Sequence, residues 1–172
     1  MKTVISKDEY GEYFDRYIQY SNGSDLHELL TAHRVKMNGI FKNLNEAKAH
    51  FRYEESKWSI KEVLGHVIDT ERIFNYRALA LARGEKNPML GYNHDQYMKV
   101  ANFDRFTLKD LQNQYSVTRD YTLSLFGSFK DEELISKGVV NSSPFSVRAL
   151  GYVIAGHEMH HRFILKERYH LT

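Results

Sequence analysis

Four long segments of the chain repeat apolar residues at three- and four-residue spacing, which is the period of an α-helix with one buried face. In the first segment these residues are Leu26, Leu29, Leu30, Met37, Ile40, Phe41 and Leu44. Proline, which breaks helices, occurs only at Pro88 and Pro144. No segment sustains the period-two alternation of a β-strand. The pattern therefore predicts an all-α fold, and four such helices predict a four-helix bundle.

Capping residues predict where these helices begin and end. Ser59 followed by Glu62 forms a capping box that starts the second helix, and Gly84 is expected to end it. The other expected starts are Ser24, Thr107 and either Ser143 or Ser146, and the other expected ends are Gly127 and about Arg168. Residues 84–106 are predicted to form a long irregular crossover loop, and loops of such length are often functional. Ahead of the bundle, the aromatic residues of segment 10–18 predict a short helix or arm that covers it.

Length and charge limit what the chain can be. A chain of 172 residues predicts one domain over 1–172. Its 24 basic and 22 acidic residues form no long run of like charge, so we expect no nucleic-acid binding. No apolar run is long enough to span a bilayer, which predicts a cytoplasmic protein without a membrane partner. Because the chain has no cysteine, any metal site must use nitrogen and oxygen ligands.

The sequence GHEMHH at 156–161 places three histidines on the last predicted helix. On a helical wheel, His157 and His161 lie near the centre of the apolar face, one turn apart, whereas His160 lies on its flank. Three interpretations are open: solvated surface histidines, a hydrogen-bonded core pair, or two ligands of a metal whose third ligand lies elsewhere. The i, i+4 spacing is compatible with the last of these.

His66 on the second helix is the best candidate for the third ligand, because it lies at the edge of the apolar face and can line a cleft. His33 is a further possibility, and the remaining histidines are predicted to lie on the surface or in loops: His27, His50, His94 and His170. Three neutral imidazoles would leave a divalent ion an open coordination position, which is typical of catalytic sites. Without cysteine ligands, zinc or nickel fits such a site.

Two blocks, KWSIKEVLGHVIDTERIFNYRALALARGE and SVRALGYVIAGHEMHHRFILKERY, resemble the DinB superfamily and its YfiT-like members. The segments EYFDRYI and GYNHDQY are also similar, so the resemblance covers nearly the whole chain. It implies an up-down-down-up four-helix bundle, often a homodimer, with a divalent metal held by three histidines. By motif, these ligands are His66 in LGHVIDTE, and His157 and His161 in GHEMHH.

The resemblance also implies an activity. Characterised relatives include transferases that use a low-molecular-weight thiol such as bacillithiol, and a thiol-dependent maleylpyruvate isomerase. We therefore expect a metal-dependent thiol S-transferase that acts on a small molecule. A metal-dependent hydrolase and a non-catalytic metal-binding bundle remain alternatives. No catalytic residue beyond the metal ligands is assigned.

Substrate contacts are expected from the loop, where Tyr92, Asn93 and Tyr97 could line one rim of the cleft. The alternative is that the two tyrosines anchor the loop against the bundle. On their helical wheels, Asp69 and Glu158 point away from the metal-facing side, which favours surface salt bridges. The alternative for each is to orient a metal-binding imidazole through its free N–H.

Three arginines are candidate anion contacts, because thiols of this kind carry carboxylates: Arg77, Arg119 and Arg148. Ion pairs on the helix surface are the alternative for each of them.

Overall fold

The computed structural model describes residues 3–171, and four long helices form its core. The α-helices are α1 Asp15–Ile18, α2 Leu26–Asn43, α3 Glu46–Ala49, α4 Ile60–Ala82, α5 His94–Ala101, α6 Leu108–Ser128, α7 Asp131–Leu134 and α8 Val147–Tyr169. Two strands, β1 Lys137–Val140 and β2 Ser143–Ser146, form an antiparallel hairpin. Short 3₁₀-helices span Lys7–Glu9, Glu12–Phe14 and Phe103–Arg105. The core helices are α2, α4, α6 and α8.

Helices α4 and α6 run in the same direction. The Arg72 side chain donates to Thr118, and one turn later the Asn75 side chain donates to Thr122, so contacts advance together along both helices. Helix α8 runs opposite to α4. Tyr169, at the end of α8, donates to the Trp58 carbonyl just before α4 begins.

Helix α2 runs parallel to α8. Leu26 contacts Gly151 near the start of both helices, and His33 contacts Glu158 two turns further along. The order along the chain is therefore up, down, down, up. The predicted four-helix bundle and its direction pattern are confirmed.

Most predicted helix boundaries agree with the structure. Ser59 accepts a hydrogen bond from the Glu62 amide in a capping box, and Thr107 caps α6. Asp25, rather than Ser24, caps α2, because its carboxylate accepts from the Glu28 amide. Of the two candidates for α8, Ser146 is the cap, because its side chain accepts a hydrogen bond from the Ala149 amide, whereas Ser143 begins β2.

The predicted irregular crossover at 84–106 is wrong in part, because the segment contains α5 and a 3₁₀-helix. Asn93 starts α5 by accepting a hydrogen bond from the Gln96 amide. Phe103, on the 3₁₀-helix, packs so closely on α4 that a Cβ at Gly65 would lie 2.3 Å from its ring. Packing on α4 thus orders a segment that lacks a long helical repeat.

The β1–β2 hairpin was not expected from the sequence. Its turn residues Asn141 and Ser142 have φ values of 48° and 61°, the left-handed conformation that suits tight hairpin turns. Met89 donates to the Val139 carbonyl and accepts from the Asn141 amide. The hairpin therefore holds the start of the crossover segment beside α4.

The aromatic N-terminal segment covers the bundle as predicted, with Tyr17 and Ile18 of α1 buried. A Cβ at Gly156 of α8 would lie 2.1 Å from the Tyr17 carbonyl oxygen. Glycine is therefore needed for α1 to pack against α8 immediately before His157. Within residues 3–171, no helix has both the length and the apolarity needed to cross a membrane.

Candidate metal centre

His66 of α4 meets His157 and His161 of α8 inside the bundle. The Nε2 atom of His157 lies 3.1 Å from Nε2 of His66 and 3.1 Å from Nε2 of His161. One ligand atom from each residue lies within 4.8 Å of the other two. The structure therefore brings together the three histidines that the sequence selected from two distant segments.

The donor set fits a divalent ion. Nitrogen ligands bind zinc at about 2.0–2.1 Å, so two ligands of one tetrahedral ion lie roughly 3.3 Å apart. Hydrogen bonds among the rings cannot satisfy the set, because the single Nε2 position of neutral His157 carries either one proton or one lone pair. The Nε2 atoms of both His66 and His161 lie within hydrogen-bond distance of this one position. A cation at their centre would use all three lone pairs.

Burial keeps the three imidazoles in the neutral form that can bind a metal. Their exposed fractions are 7% for His66, 6% for His157 and 9% for His161. Burial, followed by the nearby His94, lowers the pKa of His66 to about 3. Burial also lowers the pKa values of His157 and His161 well below the usual range. Neutral rings with free lone pairs are therefore the expected state near neutral pH.

A cavity of about 440 Å³ adjoins the three rings. Trp58 forms part of its wall, with its ring centroid 4.9 Å from that of His66. Tyr17 covers the other side, 5.3 Å from the His157 ring. The opening gives a small molecule access to the face that the three histidines share. Trp58 and Tyr17 were not among the predicted site residues, because their position depends on how α1 and the α3–α4 connection pack.

The other histidines do not join the cluster. His33 is buried, but its Nδ1 lies 3.7 Å from a Glu158 oxygen and faces the bundle interior. His160 is on the flank of α8, as predicted, and packs edge-to-face on Tyr17. His94, at the start of α5, is half-exposed at the cavity rim, with its ring 5.7 Å from His66.

Of the three candidate substrate contacts, only Tyr92 lines this cavity. Its hydroxyl lies 2.7 Å from Thr70 Oγ1. Tyr97 is half-exposed, packs on the Tyr92 ring at 5.2 Å and lines a neighbouring surface groove that shares Tyr92 and Arg77 with the histidine cavity. Asn93 is exposed and caps α5. These contacts support an anchoring role for Tyr97 and Asn93.

Glu158 departs from its predicted place on the surface. Its carboxylate does point away from the cluster, but it is 1% exposed and pairs with Arg119 at 2.6 Å. Tyr115 donates to the same oxygen at 2.8 Å. Asp69 agrees better with the prediction, since it forms a salt bridge of 3.2 Å with Arg72 on α4.

The three candidate arginines have different surroundings. Arg119 is fully buried and pairs with Glu71 and Glu158, so it is a core residue rather than a surface one. Arg148 pairs with Glu9 at the N-terminal segment. Arg77 alone of the three lines the histidine cavity.

A family model of the DinB superfamily matches residues 29–165, a span that includes both histidine-bearing helices. The chain belongs to the DinB superfamily. No curated protein matches it.

A solved structure with the same fold is YfiT from Bacillus subtilis, described as a probable metal-dependent hydrolase with an unusual four-helix bundle topology. It aligns with a TM-score of 0.70 over 100% of this chain and 94% of that chain, at 16% sequence identity. At that identity the likeness establishes the shared bundle. Membership of the DinB superfamily and the buried three-histidine group agree in suggesting a divalent metal.

Proposed function

We propose that this protein is a divalent-metal-dependent enzyme in which His66, His157 and His161 hold the ion. The observation that carries the proposal is the meeting of three buried Nε2 atoms beside a cavity of about 440 Å³. A structural core pair would need neither a third ring from another helix nor an open cavity. A small-molecule substrate fits the size of that cavity.

A divalent ion held by three neutral imidazoles keeps an open position and lowers the pKa of a thiol or water that reaches it. Zinc and nickel are the ions that we propose for this nitrogen donor set. His66, His157 and His161 supply the lone pairs. Trp58 and Tyr17 exclude bulk water from two sides of the rings.

Thiol S-transfer is the reaction that we propose first. The described residues that line the cavity include no carboxylate, so no acidic side chain is placed there to take a proton from water. A thiol loses its proton without a strong base more readily than water does, since its pKa is about 8.5 whereas that of bulk water is about 15.7. In the transfer, the thiol sulfur bonds to a substrate carbon, the leaving group departs with its electron pair, and the thiol proton is released.

The second candidate is a metal-dependent hydrolase. It is favoured by the shared fold with YfiT, which is described as a probable metal-dependent hydrolase. The same three histidines would serve both reactions. The two candidates differ in whether turnover requires a thiol.

Metal analysis and a thiol assay test the proposal. Untagged protein is expected to hold about one zinc or nickel ion per chain, and His66→Ala to hold almost none. The purified protein should conjugate a low-molecular-weight thiol such as bacillithiol to a chromogenic electrophile, and His66→Ala should lose that activity. His160→Ala is the matched control, because His160 lies beside the cluster without joining it.

The outcomes separate the candidate functions. Ester turnover that proceeds without thiol would favour the hydrolase. Stoichiometric metal without turnover of either substrate class would favour a non-catalytic metal-binding bundle. A protein that binds no metal, with His66→Ala unchanged in stability and activity, would contradict the proposal as a whole.

We further propose that the protein is a cytoplasmic homodimer that binds no nucleic acid. Support for dimerisation comes from the exposed apolar side chains of Tyr76, Leu90 and Tyr97, which line one surface groove. Light scattering should give twice the chain mass of 20.3 kDa. A single-chain mass at micromolar concentration would contradict the homodimer.

A further inference from the structure

Arg77 is a buried cation without an anionic partner among the described residues. Its side chain lies on α4 in the wall of the three-histidine cavity, and the residue is 5% exposed. One hydrogen bond, from Nη2 to the Leu90 carbonyl at 2.9 Å, holds the guanidinium. Its Cζ also lies 5.1 Å from the Phe74 ring centroid and 5.7 Å from that of Tyr92. The guanidinium forms no other hydrogen bond with residues 3–171, and its remaining N–H donors are open to the cavity or to solvent.

Arg119, which is also buried, differs from Arg77 in having carboxylate partners. Arg119 has two carboxylates, from Glu71 and Glu158, at 2.6–2.8 Å. These carboxylates raise the pKa of Arg119 against the effect of burial, whereas burial lowers the pKa of Arg77. A buried charge without a partner is costly, so such a group usually meets its counter-ion from elsewhere.

The charge of the cavity lining also favours an anionic ligand. Its lining contains a second cation, Arg16, whose Cζ lies 3.9 Å from the Tyr13 ring centroid, and no aspartate or glutamate among the described residues. A divalent ion bound by neutral histidines would add further positive charge. An anionic ligand would neutralise this cavity, whereas a cationic ligand would be repelled.

Four side chains of α4 place this cation at a distance from the histidines. His66, Thr70, Phe74 and Arg77 follow one another at helical spacing and line the same cavity. The guanidinium packs beside the ring of Phe74, which lies eight residues, or roughly 12 Å, along α4 from His66. The cation therefore lies on the order of 10 Å along the cavity from the histidine cluster.

We propose that the cavity binds an elongated small molecule with a carboxylate that pairs with Arg77 at one end and a reacting group at the histidine cluster at the other. The carboxylate matches the single charge and the free donors of the guanidinium. Phe74 packs against the apolar middle, and the hydroxyls of Thr70 and Tyr92 offer polar contacts. The identity of the reacting end rests on the proposed metal-dependent function, but the carboxylate site does not.

Matched probes that need no metal chemistry test the carboxylate site. Hexanoate and hexanamide have similar size and differ in charge, so their dissociation constants, measured by NMR titration, isolate the charge preference. The chain is used both as purified and after removal of metal by chelation. The variants are Arg77→Gln, which keeps an N–H donor for the Leu90 carbonyl, and Arg77→Lys, which keeps the charge.

The matched control is Arg72→Gln, because Arg72 lies on α4 outside this cavity and pairs with Asp69. Wild type and Arg72→Gln should bind hexanoate about tenfold or more tighter than hexanamide. Arg77→Gln should lose that preference, and Arg77→Lys should keep part of it. Thermal unfolding of each variant verifies that it is folded.

Equal affinity of the wild type for both probes, or a preference that survives in Arg77→Gln, would overturn the proposal. Because metal-free protein is included, a failure of the carboxylate site is distinguishable from a failure to bind metal. If the protein bound no metal but still preferred hexanoate to hexanamide, only the proposed enzyme function would be contradicted.

Discussion

Glu158, the residue that follows His157, accepts a hydrogen bond of 2.6 Å from Nη2 of Arg119. Arg119 also donates to both carboxylate oxygens of Glu71 at 2.8 Å. All three side chains are at most 2% exposed. The ion pairs therefore join α4, α6 and α8 behind the histidine cluster, and they fix the rotation of α8 that presents His157 and His161 to His66.

Replacing Arg119 with methionine should destabilise the fold strongly. The substitution leaves the buried carboxylate of Glu71 without a cation and leaves Glu158 with only its weaker partner, Arg162, at 3.3 Å. Breaking such a buried pair costs about 3–5 kcal/mol. Urea unfolding followed by circular dichroism measures the loss. The control is Arg34→Met, because Arg34 pairs with Asp120 at the surface and such pairs contribute roughly 0–1 kcal/mol. Equal effects of the two substitutions would contradict the structural role of the buried network.

Metal binding should stabilise the folded chain and should depend on His161 rather than His160. An ion that binds only the folded state, at a free concentration of about 100 times its dissociation constant, adds about 2.7 kcal/mol to the unfolding free energy. Zinc should therefore raise the melting temperature of the wild type and of His160→Ala. It should leave His161→Ala almost unchanged. A zinc response in His161→Ala as large as that of the wild type would assign the ion to a different site.

Acid should destabilise the metal-free protein partly through His33. Burial, followed by the charges of Arg162 and Arg119, lowers the pKa of His33 to about 3 from an ordinary value of 6.5. Because the unfolded chain binds the proton more readily, stability is lost as the pH falls from about 6.5 toward 3.

The fraction of that loss due to His33 is measurable. One such histidine contributes a slope of about 1.4 kcal/mol per pH unit, and His33→Gln should remove it. Unfolding free energies of chelated protein, measured at several pH values between 4.5 and 6.5, give the slope. The same substitution at His27, an exposed residue of the same helix, should leave it unchanged. An unaltered slope in His33→Gln would rule out this source of acid sensitivity.

The long helices and the histidine pair could be predicted because both depend on local geometry. A helix of 3.6 residues per turn puts His157 and His161 on one face whatever surrounds it. Ser59 and Thr107 cap their helices through contacts three residues away. The resemblance to the DinB superfamily then supplied the direction pattern, which local patterns alone do not contain.

The missed features depend on tertiary contacts. A helical wheel gives the direction of Glu158 but not what covers that direction, and here Arg119 of α6 buries it. The strands of the hairpin are four residues long, too short to show alternation, and its turn uses Asn141 and Ser142 instead of a glycine. The sequence alone could not distinguish Arg77 from Arg119 and Arg148 as an anion contact. In the structure Arg119 and Arg148 have carboxylate partners, and Arg77 has none among the described residues.

Two helical glycines should respond to the same substitution in opposite directions. A Cβ at Gly156 would lie 2.1 Å from the Tyr17 carbonyl oxygen, so Gly156→Ala must push α1 away from α8. Such overpacking costs roughly 1–3 kcal/mol. A Cβ at Gly127 of α6 would meet nothing within 4 Å, and there alanine should stabilise the helix by up to about 1 kcal/mol.

Because α1 carries Tyr17 against His157, the effect of Gly156→Ala should extend to the cavity. We expect Gly156→Ala to lower the unfolding free energy and to weaken hexanoate binding, since both Arg16 and Tyr17 move with α1. Gly127→Ala should raise the unfolding free energy and leave binding unchanged. Chemical unfolding and the NMR titration measure the two effects on the same samples. If Gly156→Ala were as stable as the wild type, α1 would not pack on α8 as closely as the structure shows, and the cavity would lose one of its walls.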